Sequence, residues 1–290
     1  MDVVKHNKVI VGFDGSDASV AALRWAAGEA SRRGASVSVV ASFATPAAVN
    51  FGIGYGGAAA AVATEELAEW IRTELTKAVH AAFADHRSVG YDFHAVGTRP
   101  GAALRDAAEN ADLLVVGRSG AGAMDRLLLG SVTAELLAHS PCPLVIAPDQ
   151  LREPTGIIVV GTDGSHHAER AVRWAVDEAD QRGCRLIVAH CWKAPYRLTS
   201  EGVDHSDGMR PVDAEILLDK AVQAARAISG GEIEHRLIEG GTTQSLLDLS
   251  EAADLVVVGS RGRGGFASML FGSVTHAMAS HASCPTVIVH

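Results

Sequence analysis

Cysteine is scarce in this chain, with four in 290 residues. That is too few for a disulfide framework, and a reducing cytoplasm is the expected compartment. No apolar run approaches the ~20 residues that a membrane span requires. The start, Met1–Lys8, lacks the apolar segment of a signal peptide. Positive charge is in deficit, 25 Lys and Arg against 34 Asp and Glu, for a net charge of −9. A general nucleic-acid binder, which needs a basic surface, is therefore not expected. The 30 glycines show no G-X-Y period, so the chain is not collagenous. It also lacks the G-x-x-x-x-G-K-S/T of P-loop NTPases and the G-x-S-x-G elbow of hydrolases. What it does have is a hydrophobic content of 48%, enough to exclude disorder, and length for about two domains.

The chain is an internal repeat. Val9–Gly34 aligns with Ile158–Gly183, setting Asp14 on Asp163, Trp25 on Trp174 and Gly34 on Gly183. A second block starting at Ala111 aligns with one starting at Ala253. The spacing between blocks differs by a few residues, so the middle of each half tolerates insertion, as loops do. The implied domains are residues 1–148 and 155–290, joined by the polar stretch Pro148–Pro154.

Within the first half, Val/Ile-rich runs at Lys8–Phe13, Ser36–Ser42, Tyr91–Val96, Asp112–Gly117 and Pro143–Ala147 read as strands. Helical patterns fall between them at Asp17–Arg33, Ala61–His86, Gly101–Asn110 and Ser131–His139. The first helix has an apolar stripe, Ala22, Leu23, Ala26, Ala27 and Ala30, that recurs as Ala171, Val172, Ala175, Val176 and Ala179. The continuous apolar runs Leu113–Val116 and Leu255–Val258 suit parallel strands buried on both faces. Each half is thus expected to be an α/β, Rossmann-like, doubly wound domain with a five-stranded parallel sheet.

Ligands of such sheets bind beyond the carboxyl ends of the strands, at the switch point. Two of these ends carry glycines. The first strand runs into Gly12-Phe13-Asp14-Gly15-Ser16. The fourth runs into Gly117-Arg118-Ser119-Gly120-Ala121-Gly122-Ala123, followed by Gly130-Ser131-Val132 at a helix start. The second half repeats the pattern with Gly161 and Asp163, then Gly259-Ser260-Arg261-Gly262-Arg263-Gly264-Gly265, then Gly272-Ser273-Val274. Glycines let backbone N–H groups converge on an anion, and a helix start adds free donors and positive potential. Phosphate is the anion this pattern fits. Asp14 and Asp163 would repel it, so they are expected to accept from a base or ribose, or to hold a metal with the phosphates. Gly52–Gly57 also spells G-x-G-x-x-G, but it lies past the first crossover without a counterpart and reads as a loop.

Gly117, Gly120, Gly130 and Ser131 fit the signature G-x2-G-x9-G-S/T, as do Gly259, Gly262, Gly272 and Ser273. In this the chain resembles a tandem member of the universal stress protein family, over nearly its whole length. The resemblance implies strand order 3-2-1-4-5 in each domain and ATP as the ligand, with Mg2+ as a possible companion. It places adenine near Asp14 or Asp163 and the triphosphate over Gly117–Ala123 with Gly130–Val132, or over Gly259–Gly265 with Gly272–Val274. It further implies pairing through the last strands, Pro143–Ala147 and Pro285–His290, a homodimer, and a regulatory protein partner in stress response or growth arrest.

Chemistry is not expected at these sites. Phosphoryl transfer needs positioned cations and a group that orients the nucleophile. No lysine occurs in either glycine loop, and only Asp14/Asp163 recurs in both copies; Asp125 has Ala267 as its counterpart. The alternatives are a slow ATPase and an interaction module that needs no nucleotide. Cys142 and Cys284 recur before the last strand and read as buried thiols. His166-His167 is paired with Asp17-Ala18 and reads as a solvent-facing helix start rather than a metal site.

Overall fold

A computed structural model describes residues 7–42, 69, 73, 75–96, 98–120, 129–199, 202–205, 208–263 and 271–290, with side chains at 42, 196–199 and 202–205 excepted. Ala121, Gly122, Ala123, Gly264 and Gly265, the Gly52–Gly57 loop and most of the first half of the helix expected at Ala61–His86 lie outside these residues. The chain divides into two compact units, Met1–Gln150 and Leu151–His290.

The first unit runs β1 (Lys8–Phe13), α1 (Asp17–Arg33), β2 (Ser36–Ser42), a helical stretch α2 (residues 75–82), β3 (Tyr91–Val96), α3 (Pro100–Ala108), β4 (Leu113–Gly117), α4 (Ser131–His139) and β5 (Leu144–Ala147). Its strands lie in the order β3-β2-β1-β4-β5, all parallel. The second unit runs β6 (Ile157–Gly161), α5 (His166–Arg182), β7 (Arg185–Trp192), β8 (Tyr196–Thr199), β9 (Gly202–His205), α6 (Pro211–Arg226), β10 (Ile233–Glu239), α7 (Thr242–Ser250), β11 (Leu255–Gly259), α8 (Ser273–His281) and β12 (Thr286–Val289). Its sheet order is β10-β7-β6-β11-β12, again parallel. Both units are therefore α/β, with the order 3-2-1-4-5.

Local chemistry explains the element ends. The Ser16 hydroxyl caps α1 by accepting from the Ser19 N–H at 3.2 Å, and Ser165 does the same for Ala168 at 3.3 Å. Both helices stop at a left-handed glycine, Gly34 at φ 62° and Gly183 at φ 63°. The last strand begins at Leu144 rather than Pro143, because proline has no N–H for the ladder and contributes only its carbonyl, to Leu114 at 3.0 Å. Central strands β4 and β11 are buried at four consecutive residues. Between β7 and α6 lies an antiparallel hairpin, β8 with β9, whose four-residue strands are too short for sequence periodicity to reveal. Among the described residues no helix is long and apolar enough to cross a membrane.

Candidate functional site

In each unit the strand order reverses between two neighbours in the sheet, β1 and β4 in the first and β6 and β11 in the second. Their carboxyl ends open onto a cavity, of about 280 Å3 in the first unit and about 480 Å3 in the second. Gly12, Asp14, Gly117, Ser119, Gly120, Gly130, Ser131 and Val132 all line the first. Gly161, Asp163, Gly259, Arg261, Gly262, Arg263, Gly272, Ser273 and Val274 line the second. Residues more than 100 positions apart in the chain meet here. Arg118 and Ser260 do not line the cavities; their N–H groups extend the ladder to Ala147 at 3.0 Å and Val289 at 2.8 Å, and the Ser260 side chain is buried.

The signature glycines serve three different ends. A Cβ on Gly117 would sit 2.7 Å from the Ala18 backbone, and one on Gly259 would sit 2.8 Å from that of His167. These two are needed for packing of the strand end on the helix start. A Cβ on Gly120 or Gly262 would meet the Asp14 or Asp163 carboxylate at 2.8 or 2.5 Å. These two let the loop close on the aspartate. Gly130 and Gly272 are different. A Cβ there meets nothing within 3.5 Å, and their φ values, −62° and −77°, suit any residue. The fold itself does not require glycine at either position.

Those two glycines are also the N-caps of α4 and α8, and neither helix start has a side-chain cap. The first N–H groups of a helix have no intrahelical acceptor, so they face the cavity with the positive end of the dipole. Thr133 and Thr275, one turn in, fix the helix start on the preceding strand by donating to the Gly117 carbonyl at 3.0 Å and the Gly259 carbonyl at 2.9 Å.

The aspartates are held by their own turns. Asp14 Oδ1 accepts from the Ser16 N–H at 3.0 Å and hydroxyl at 2.6 Å. Asp163 accepts from the Ser165 N–H at 2.9 Å and, through Oδ2, from the Arg263 N–H at 2.7 Å. The Arg263 guanidinium donates to the Gly164 carbonyl at 3.3 Å and the Ser165 hydroxyl to the Arg261 carbonyl at 3.4 Å, so the second glycine loop is laced to the aspartate turn.

Several wall residues escaped the sequence reading. Leu104 and Leu246, from the helices that follow the third strand of each sheet, supply apolar wall, and nothing in their local sequence marks them. Thr133 and Thr275 were legible, since Ser-Val-Thr follows Gly130 and Gly272 alike. Cys191 also borders the second cavity, with burial pushing its thiol pKa up. Beside the site, His190 is 4% exposed and sets Nδ1 2.8 Å from the Thr162 carbonyl. The carbonyl can only accept, so Nδ1 carries the proton; Nε2 is buried without a partner among the described residues. Burial lowers its pKa, opposed in part by that carbonyl.

A model of the universal stress protein family matches residues 5–148 and again residues 155–290. A universal stress protein of Mycolicibacterium smegmatis is 31% identical over 97% of this chain and 96% of its own length. The crystal structure of a universal stress protein from Archaeoglobus fulgidus DSM 4304 covers 98% of both chains with a TM-score of 0.69 and 22% identity. A shorter universal stress protein, solved in complex with cAMP, covers 46% of this chain at 31% identity and a TM-score of 0.36.

Proposed function

The chain belongs to the universal stress protein family, and from that premise we propose that both of its domains bind ATP and that occupancy, rather than turnover, is what the protein communicates to a partner in stress response. The supporting observation is the pair Gly130 and Gly272. Serine is among the best N-cap residues and stabilises a helix start relative to most alternatives. Both positions have ordinary φ and space for a side chain. Glycine at both keeps the backbone donors of Ser131, Val132, Ser273 and Val274 open to a phosphate. The aspartates fit the base or ribose end, where an acceptor is useful and a phosphate would be repelled. No lysine borders either cavity among the described residues, and Asp14/Asp163, held by its own turn, is the only repeated acid there, which supports binding without efficient hydrolysis. Mg2+ would be held by the nucleotide with at most Asp14 or Asp163, neutralising phosphate charge, since the described residues form no cluster of metal-ligating side chains.

The test is the double substitution Gly130→Ser and Gly272→Ser in the full chain. Serine can cap both helices, so unfolding free energy should stay level or rise by up to about 1 kcal/mol. The same hydroxyls and Cβ atoms occupy the anion position, so ATP affinity in an equilibrium titration should fall at least tenfold. Wild-type protein that does not bind ATP, or a double variant that binds it equally well, overturns the reading.

A further inference from the structure

The second unit has another cavity, of about 520 Å3, between α5 and α6 on the far side of the Asp163 turn. Its floor is apolar: Val172 and Leu217 are buried, with Ala221 beside them, and Met209 and Ile216 form a lip. Ile216 is 48% exposed and Val212, one turn before it, 50%. Large aliphatic side chains left open beside a cavity of this size fit a ligand's apolar part.

Charge at the rim has one sign in excess. Arg173, Lys220 and Arg263 border the cavity, and among the described residues no ion pair joins any of them to a carboxylate. Of the two acids there, Asp213 is taken by Arg210 in a bidentate pair at 2.7 and 2.8 Å. Only Glu169 remains against three cations, its nearest ionic neighbour being His166 at 3.9 Å. A local positive surplus in a chain of net charge −9 selects for an anionic group.

Three of its lining positions differ between the copies. Thr162 stands where the first copy has Phe13, which is 8% exposed, Glu169 where it has Val20, and Arg263 where it has Ala121. A small residue in place of a buried aromatic ring leaves volume next to β6. These three lining residues fall outside the pattern that the two copies share.

We infer that this cavity binds a small anionic amphiphile, an alkyl chain bearing one carboxylate or like head, as a free monomer. The head lies among Arg173, Lys220 and Arg263, and the chain lies along Val172, Leu217 and Ile216. Arg263 and Thr162 also border the nucleotide cavity, so the two sites share a wall. The inference does not depend on the ATP reading, because its ligand and readout are separate.

The full chain is titrated calorimetrically with sodium dodecanoate below its micelle concentration. Saturable binding of one equivalent is expected, with dodecyltrimethylammonium binding at least tenfold more weakly. Charge reversal by Lys220→Glu or Arg173→Glu, both on exposed helix faces, should weaken dodecanoate at least tenfold. Ile216→Asp should do the same through the chain end, and Gly272→Ser should leave dodecanoate affinity as it was. The inference is overturned by absence of saturable binding, by equal binding of the cationic amphiphile, or by indifference to all three groove substitutions. Sedimentation with phosphatidylglycerol vesicles without binding of monomeric dodecanoate overturns it too, by making the surface a membrane contact.

Discussion

Glycine at Gly259 and glycine at Gly272 look alike in the sequence, yet a methyl group would clash with backbone at 2.8 Å in one and make only ordinary contacts, none closer than 3.5 Å, in the other. The signature could be read as a whole from spacing, but not divided into packing and ligand roles, since the Ala18 and His167 backbones that make the distinction come from another element. His190 was not legible at all. The first copy has Ala41 there, and the Thr162 carbonyl it binds follows the neighbouring strand β6. Its titration has a definite sign. The folded-state pKa lies below the ordinary imidazole value, so the unfolded chain takes up the proton first. The stabilisation is complete above the unfolded pKa, about 6.5, and is lost as pH falls below it. Chemical unfolding between pH 7.5 and 5.5 should show stability falling on acidification, by at most about 1.4 kcal/mol per pH unit from this group. His190→Gln keeps a donor for the carbonyl and cannot titrate, so it should flatten the slope. An unchanged slope would assign it elsewhere, with His167, also shifted down by burial, the next group to substitute.

At the scale of elements, α1 and α5 are buried far beyond their alanine stripes. Ser19, Trp25 and Glu29 are all below 9% exposure on α1, and Glu178 on α5 is 1% exposed. A glutamate one turn before an arginine normally reads as a solvated face; here Glu178 pairs with Arg182 and Glu29 with Arg33 inside the domain. The sequence shows the i,i+4 spacing and hides the burial, because the covering surface comes from distant parts of the chain. Removing one partner takes away part of the compensation of a buried charge, which is costly even where the intact pair adds little. Arg182→Ala should therefore lower unfolding free energy by about 3 kcal/mol in urea denaturation, while replacing Glu178 together with Arg182 by Leu and Met should cost less. Equal losses from the single and double substitutions would mean that packing, not charge, dominates there.

For the whole molecule, duplication and strand alternation, a local signal, made two α/β domains readable, while the strand order followed from the family resemblance. How the copies differ is not local. The second cavity is about 480 Å3 against about 280 Å3, Arg261 and Arg263 border it, and no arginine is among the described lining of the first. A charge-assisted hydrogen bond contributes roughly 1.5–3 kcal/mol, so one arginine placed on a phosphate shifts affinity by about tenfold or more. The loop bearing Arg263 is also already tied to Asp163, so less ordering is left to binding. The second site should accordingly hold ATP at least tenfold more tightly. Gly130→Ser leaves that site intact and should keep the tight phase of a titration, whereas Gly272→Ser should leave the weak phase alone. Equal residual affinities in the two variants would show that the arginines and the larger cavity make no difference to the nucleotide.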